Sequence, residues 1–151
     1  MKKIFITTTL LLCGITGMQA QQKFNVQNGT KTEFYNDLET AIEKAVSGDT
    51  IYLPGQPFRP QTNIIVIDKK LAIIGAGCDV DSIGGLQTTE IIYVGYSSNY
   101  ASVVFNEGSD GSLLMGCIIN GISFEENKSI NNITITRNFI DRTHYCLLKS
   151  S

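Results

Sequence analysis

Phe34 to Gly55, FYNDLETAIEKAVSGDTIYLPG, is the stretch on which the fold reading rests. Its apolar residues Phe34, Leu38, Ala41, Ile42, Ala45 and Val46 recur at the three- and four-residue intervals of one helix face, predicting an amphipathic helix over Phe34–Val46. Ser47-Gly48-Asp49 supplies a glycine suited to the left-handed position that ends a helix. Thr50-Ile51-Tyr52-Leu53 then alternates as a short strand, and Pro54-Gly55 turns it. Thr32 or Asn36 is the expected cap, with Glu33 or Asp37 in the first turn near the positive end of the helix dipole.

Upstream, Met1–Ala20 carries two lysines, an apolar run from Ile4 to Leu12, and small and polar residues ending at Ala20. That is the layout of a secretory signal peptide cleaved after Ala20, and the run falls short of the roughly 20 apolar residues a membrane span needs. No later stretch is long and apolar enough to cross a bilayer, so a secreted, periplasmic or cell-surface location is expected. Residues 21–33 are expected as a polar lead-in and 34–151 as a single domain. A formal net charge of -2 without a long basic run gives no basis for nucleic-acid binding. Once the leader is removed, Cys78, Cys117 and Cys146 remain; their spacing matches no metal-ligand motif. They are expected as buried apolar thiols, the alternative being one disulfide with a leftover thiol.

Downstream, short β-branched runs alternate with turn clusters such as Gly75-Ala76-Gly77, Gly84-Gly85, Gly108-Ser109-Asp110-Gly111 and Asn131-Asn132. Ile51, Leu71, Ile91, Leu113 and Ile133 recur at about twenty residues, and a second series runs through Ile64, Ile83, Val103, Ile122 and Tyr145. Two interleaved series predict a solenoid whose every turn adds a strand to each of two sheets. In the first series Ile51/Leu53, Leu71/Ile73, Leu113/Met115 and Ile133/Ile135 are expected to point inward, with Tyr52, Ala72, Leu114 and Thr134 outward.

The pattern F-x3-L-x2-AI-x2-A-x-x-GDTIYLPG over Phe34–Gly55 resembles the N-terminal cap and first strand of the pectin-lyase-like superfamily. Lys70–Gly77 is similar to the early coil of those proteins, and Asn132–Ile140 to a coil in which an asparagine stacks in a ladder at a bend. The resemblance implies an all-β, right-handed parallel β-helix solenoid with an N-terminal capping α-helix and about five coils. It also implies association with extracellular polysaccharide, either binding or processing it. The alternative is a noncatalytic surface, adhesion or structural module, and the third reading is a complete polysaccharide lyase or hydrolase. The superfamily's lyases use acidic calcium ligands with an Arg or Lys base, and its hydrolases use clustered Asp residues.

No complete catalytic site of either kind is recognisable, so the catalytic residues stay unassigned. Asp79 and Asp81 place two carboxylates on one side of an extended segment and are the calcium candidates, calcium itself being implied by the resemblance. Arg137 and Arg142 are planar donors suited to a sugar carboxylate. Tyr96 and Tyr100, on a loop with Tyr93 nearby, offer aromatic faces to sugar rings. Glu107 and Asp110 form a second acidic pair among glycines, where turn formation is the simpler account. His144 has no partner in a recognisable nucleophile motif and carries no base role. Tyr145–Leu148 reads as a final strand without a covering element, so further coils or self-association are expected at the C-terminal edge.

Overall fold

A computed structural model describes residues 22–62, 64–78, 88–92 and 102–140. The chain enters as a hairpin, β1 (Phe24–Asn28) and β2 (Lys31–Tyr35), closed by Gly29-Thr30. Gly29 sits at φ 55, a conformation that suits a two-residue hairpin turn and that glycine adopts without a steric cost. The helix α1 (Leu38–Lys44) follows, and then β3 (Thr50–Tyr52), β4 (Ile65–Ile67), β5 (Ala72–Ile74) and β6 (Thr89–Glu90). The remaining strands are β7 (Val103–Phe105), β8 (Leu113–Met115), β9 (Cys117–Ile119), β10 (Ile122–Phe124), β11 (Thr134–Thr136) and β12 (Phe139–Ile140).

These strands form a six-stranded sheet in the order β11-β8-β5-β3-β1-β2 and two three-stranded sheets, β10-β7-β4 and β12-β9-β6. Both small sheets are parallel; the large one is mixed, because β1 pairs antiparallel with β2 and with β3 while β3, β5, β8 and β11 run parallel. The expectation of an all-β, right-handed parallel β-helix solenoid with two sheets is therefore corrected to a mixed α/β-like assembly of small sheets, with antiparallel strands at one end of the large sheet and a short helix that packs one face on the core. Residues 24–35, expected as lead-in and as the start of the helix, are the hairpin instead.

The predicted helix shrinks to seven residues for a visible reason. Asp37, expected in the first turn, is itself the N-cap: its Oδ1 accepts from the Thr40 amide at 2.7 Å. Leu38, Ala41 and Ile42 face the core, whereas Phe34 and Val46, assigned to the same stripe, are 64% and 54% exposed. Ala45 is already extended at the C-cap, so Gly48 does not terminate the helix. Gly48 instead takes the positive-φ place in a turn closed by the Asp49 amide donating to the Val46 carbonyl at 3.1 Å. Buried Asp49 returns a bond, its Oδ2 accepting from the Val46 amide at 2.9 Å. The helix's last carbonyls are met by Lys69, whose Nζ donates to Ile42, Ala45 and Glu43 carbonyls at 3.1, 3.3 and 3.4 Å.

All three sheets contribute to one apolar core. In the large sheet Val26, Ile51, Ile73, Leu114 and Ile135 are aligned by strand register; the middle three are almost fully buried and Ile135, at the edge, is 38% exposed. Leu114 therefore points inward, contrary to expectation. Leu113-Leu114-Met115 is apolar at every position, so alternation cannot choose its register, and pairing with Ile73 decides it. Ile65, Ile67, Val103 and Phe105 fill the core from the second sheet, and Cys117 and Ile119 from the third. Of the first repeat series, Ile91 leaves the large sheet and bridges Phe58 instead. Ile83 and Tyr145 of the second series lie outside the described residues.

Corners between sheets are closed by hydroxyls and close backbone contacts. Buried Thr89 accepts from the Ala76 amide and donates to the Pro54 carbonyl, both at 2.8 Å. Buried Ser112 accepts from the Leu71 amide at 3.0 Å. Asn138 donates to the Leu114 carbonyl at 2.8 Å and accepts from the Cys117 amide at 2.9 Å. One register step back, this place is taken by Cys117, so the expected asparagine ladder does not extend through this bend. Gly75 is required by space: a Cβ there would lie 2.3 Å from the Gly116 carbonyl oxygen and 2.9 Å from Cys117 Sγ.

Two outcomes follow for stability. Leu114→Ala is expected to lower unfolding free energy by about 2–5 kcal/mol and Leu113→Ala by clearly less, measured by urea denaturation; equal losses would refute the inward register of Leu114. Gly75→Ala, with no room for its methyl group, is expected to cost at least about 2 kcal/mol in the same measurement, and a neutral result would contradict the close approach to Gly116.

Candidate functional site

The described part of the chain holds only one of the sequence-predicted ligand residues. Asp79, Asp81, Tyr96, Tyr100 and Arg142 lie outside the described residues, as do His144 and Cys146. Arg137 is exposed at φ 53, just after β11. Its carbonyl accepts from the Gly116 amide at 3.1 Å and from Cys78 Sγ at 3.0 Å, so its backbone closes a bend while its side chain faces solvent. Glu107 and Asp110 are not brought together as an acid–base pair. Lys128 Nζ donates to Glu107 Oε2 at 2.6 Å, and Asp110 Oδ1 accepts from the Asn131 amide at 2.8 Å. The neighbouring Glu107 holds Lys128 above the usual ammonium range. Among the described residues no group of three His, Cys, Asp or Glu side chains is placed to hold a metal ion. No helix among them is long and apolar enough to cross a membrane.

The arrangement that sequence reading missed is on the outer face of the six-stranded sheet. Residues opposite one another in register share a face, which aligns Phe34, Asn25, Tyr52, Ile74, Met115 and Thr136 in one row across the strands. Phe34 is 64% and Tyr52 39% exposed, on strands separated by β1 alone. Their backbones thus stand about 10 Å apart, two strand spacings. Between them Asn25 keeps its Oδ1 buried without a hydrogen-bond partner, a cost of about 1–3 kcal/mol in an isolated protein. Two aromatic side chains exposed on one sheet face can stack on the apolar faces of sugar rings, and the Tyr52 hydroxyl can hydrogen-bond their hydroxyls. Tyr52 was legible as the outward residue of an alternating strand; Phe34 was not, since its place depends on the hairpin register.

A second feature lies under the overhanging hairpin. A groove of about 660 Å³ is lined by Lys31, Glu33, Tyr35, Lys44, Val46 and Asp49, among others. The Tyr35 hydroxyl donates to Glu33 Oε2 at 2.5 Å, and that bond raises the phenol above its ordinary range.

The two described cysteines are both free thiols. Burial pushes Cys117 up to about 12, so its thiolate is scarce at any physiological pH. Native-state alkylation at pH 8 is therefore expected to leave Cys117 unmodified, with labelling only after unfolding, as read by peptide mass spectrometry; rapid native labelling would contradict its burial. Comparison with protein-family models, curated proteins and solved structures finds no match for this chain.

Proposed function

We propose that this chain binds extracellular polysaccharide through the outer face of its six-stranded sheet, using Phe34 and Tyr52 as stacking platforms on either side of Asn25. The observation that carries the reading is the register-aligned row Phe34–Asn25–Tyr52, with both rings exposed on strands two spacings apart. That separation is comparable to the repeat of two linked pyranose rings, so alternate sugars of one chain can meet the two rings. The leader-like Met1–Ala20 supports an extracellular setting, and the resemblance of Phe34–Gly55 to the pectin-lyase-like superfamily supports a saccharide ligand. The proposed role is binding without turnover. Among the described residues the acidic pair Glu107 and Asp110 is committed to an ion pair and a loop amide.

Asn25 gives the proposal a control. Replacing it by Val removes the stranded oxygen, so Asn25→Val is expected to hold or raise stability by up to about 1 kcal/mol while binding stays close to the parent, since a buried oxygen is out of a ligand's reach. Phe34→Ala and Tyr52→Ala are each expected to weaken binding by about threefold to tenfold, the scale of one aromatic contact. Affinity electrophoresis against neutral and acidic polysaccharides measures the binding, and thermal unfolding measures the stability. Incubation with acidic polysaccharides, with and without calcium, while following absorbance of unsaturated products tests the competing lyase reading. Retained affinity in both alanine variants, or absence of binding to every polysaccharide, would overturn the proposal.

A further inference from the structure

The six-stranded sheet ends at β2, and among the described residues no strand pairs with its outer edge. The hairpin register fixes which backbone groups that edge presents. Asn28 and Lys31 close a two-residue turn, so Asn28↔Lys31, Val26↔Glu33 and Phe24↔Tyr35 are the hydrogen-bonded pairs within the hairpin. Thr32 and Phe34 therefore aim their N–H and C=O groups away from β1, toward the edge that no described strand covers. The side chains of Lys31 and Glu33 lie together on the groove side of the strand, are exposed, and alternate in sign.

We propose that this edge is a self-association surface: β2 of one copy pairs antiparallel with β2 of a second copy about a two-fold axis at Thr32. In this register the two Thr32 residues form a hydrogen-bonded pair, each N–H donating to the other's carbonyl. On either side Lys31 of one copy stands directly opposite Glu33 of the other, in the closely spaced non-hydrogen-bonded positions where opposite charges attract most. Charge excludes the register centred one residue later, which sets Glu33 against Glu33. A register centred on Phe34 runs the partner strand past Tyr35, where the chain bends at Asn36 and leaves the sheet toward α1. The alternating charges that would discourage a random strand are thus self-complementary in one antiparallel alignment, and pairing converts two six-stranded sheets into one continuous sheet. The inference rests on backbone direction and charge, and is independent of the glycan-binding reading.

Sedimentation velocity of the purified full chain over a concentration series tests it, with three variants. Thr32→Pro removes an N–H that no strand among the described residues pairs with, at an edge position where proline is tolerated, and blocks the central pair. It is expected to abolish the dimer while thermal unfolding stays close to the parent. Glu33→Lys sets lysine against lysine twice and is expected to weaken dimerisation by about tenfold or more, and Lys31→Glu combined with Glu33→Lys to restore it by reversing both pairs. A parent chain that is monomeric throughout, a dimer unaffected by Thr32→Pro, or a double variant as weak as Glu33→Lys would each overturn the proposal. Should Thr32→Pro fail to fold, the comparison of Glu33→Lys with the double variant decides the matter.

Discussion

Each strand after the hairpin is only two or three residues long, and the whole structure depends on what that shortness demands. A three-residue strand offers one or two core-facing side chains and cannot stand as a unit in water. Its stability has to come from the strands stacked above and below it. The alignment of Ile51, Ile73 and Leu114 meets that demand, each side chain lying one strand spacing from the next and sealed from water by Val26 at one end. The contributions of Ile65, Ile67, Val103 and Phe105 from the second sheet complete the packing. Because no strand is stable by itself, register is as important as composition.

Short strands in turn force frequent corners, and corners expose backbone groups inside the protein. The chain answers with small side chains that hydrogen-bond locally. Thr89, Ser102, Ser109 and Ser112 are all buried, and all use their hydroxyls on backbone groups. Gly75 and Gly116 let two bends touch backbone to backbone, with the Gly77 amide donating to Gly116 at 3.0 Å. These fixed corners hold the strands level with one another. A row such as Phe34–Asn25–Tyr52 can present a defined spacing only on a sheet held in this way.

How far the sequence announced this depends on whether a pattern had one reading or several. Thr50-Ile51-Tyr52 alternates strictly, and its strand and its inward Ile51 are as expected. Leu113-Leu114-Met115 is apolar throughout and leaves the register open, so only pairing with β5 settles it. Phe34 fits two periods: it lies four residues before Leu38, as a helix face requires, and one strand position from Glu33 and Tyr35. Asp37 resolves that ambiguity by capping the helix at Leu38. Phe24-Asn25-Val26-Gln27-Asn28 carried an alternation that the polar composition around it obscured. Missing that strand concealed both the mixed character of the large sheet and the outward row that crosses it.

The hairpin is where the fold places the least demand on its own side chains. On β3, β5 and β8 every core-side residue is buried, so those positions are held by packing. On β2 the core-side positions Lys31 and Glu33 are exposed, because the strand overhangs the groove beyond α1. Phe34 on the opposite face is the most exposed large apolar side chain among the described residues. Tyr35 alone ties the strand to the core, and an aromatic ring in water such as Phe34 brings no stability of its own. Phe34 owes its place to the hairpin register and not to packing. The same overhang leaves the Thr32 and Phe34 backbone groups turned outward, so one two-stranded element carries both the platform and the edge.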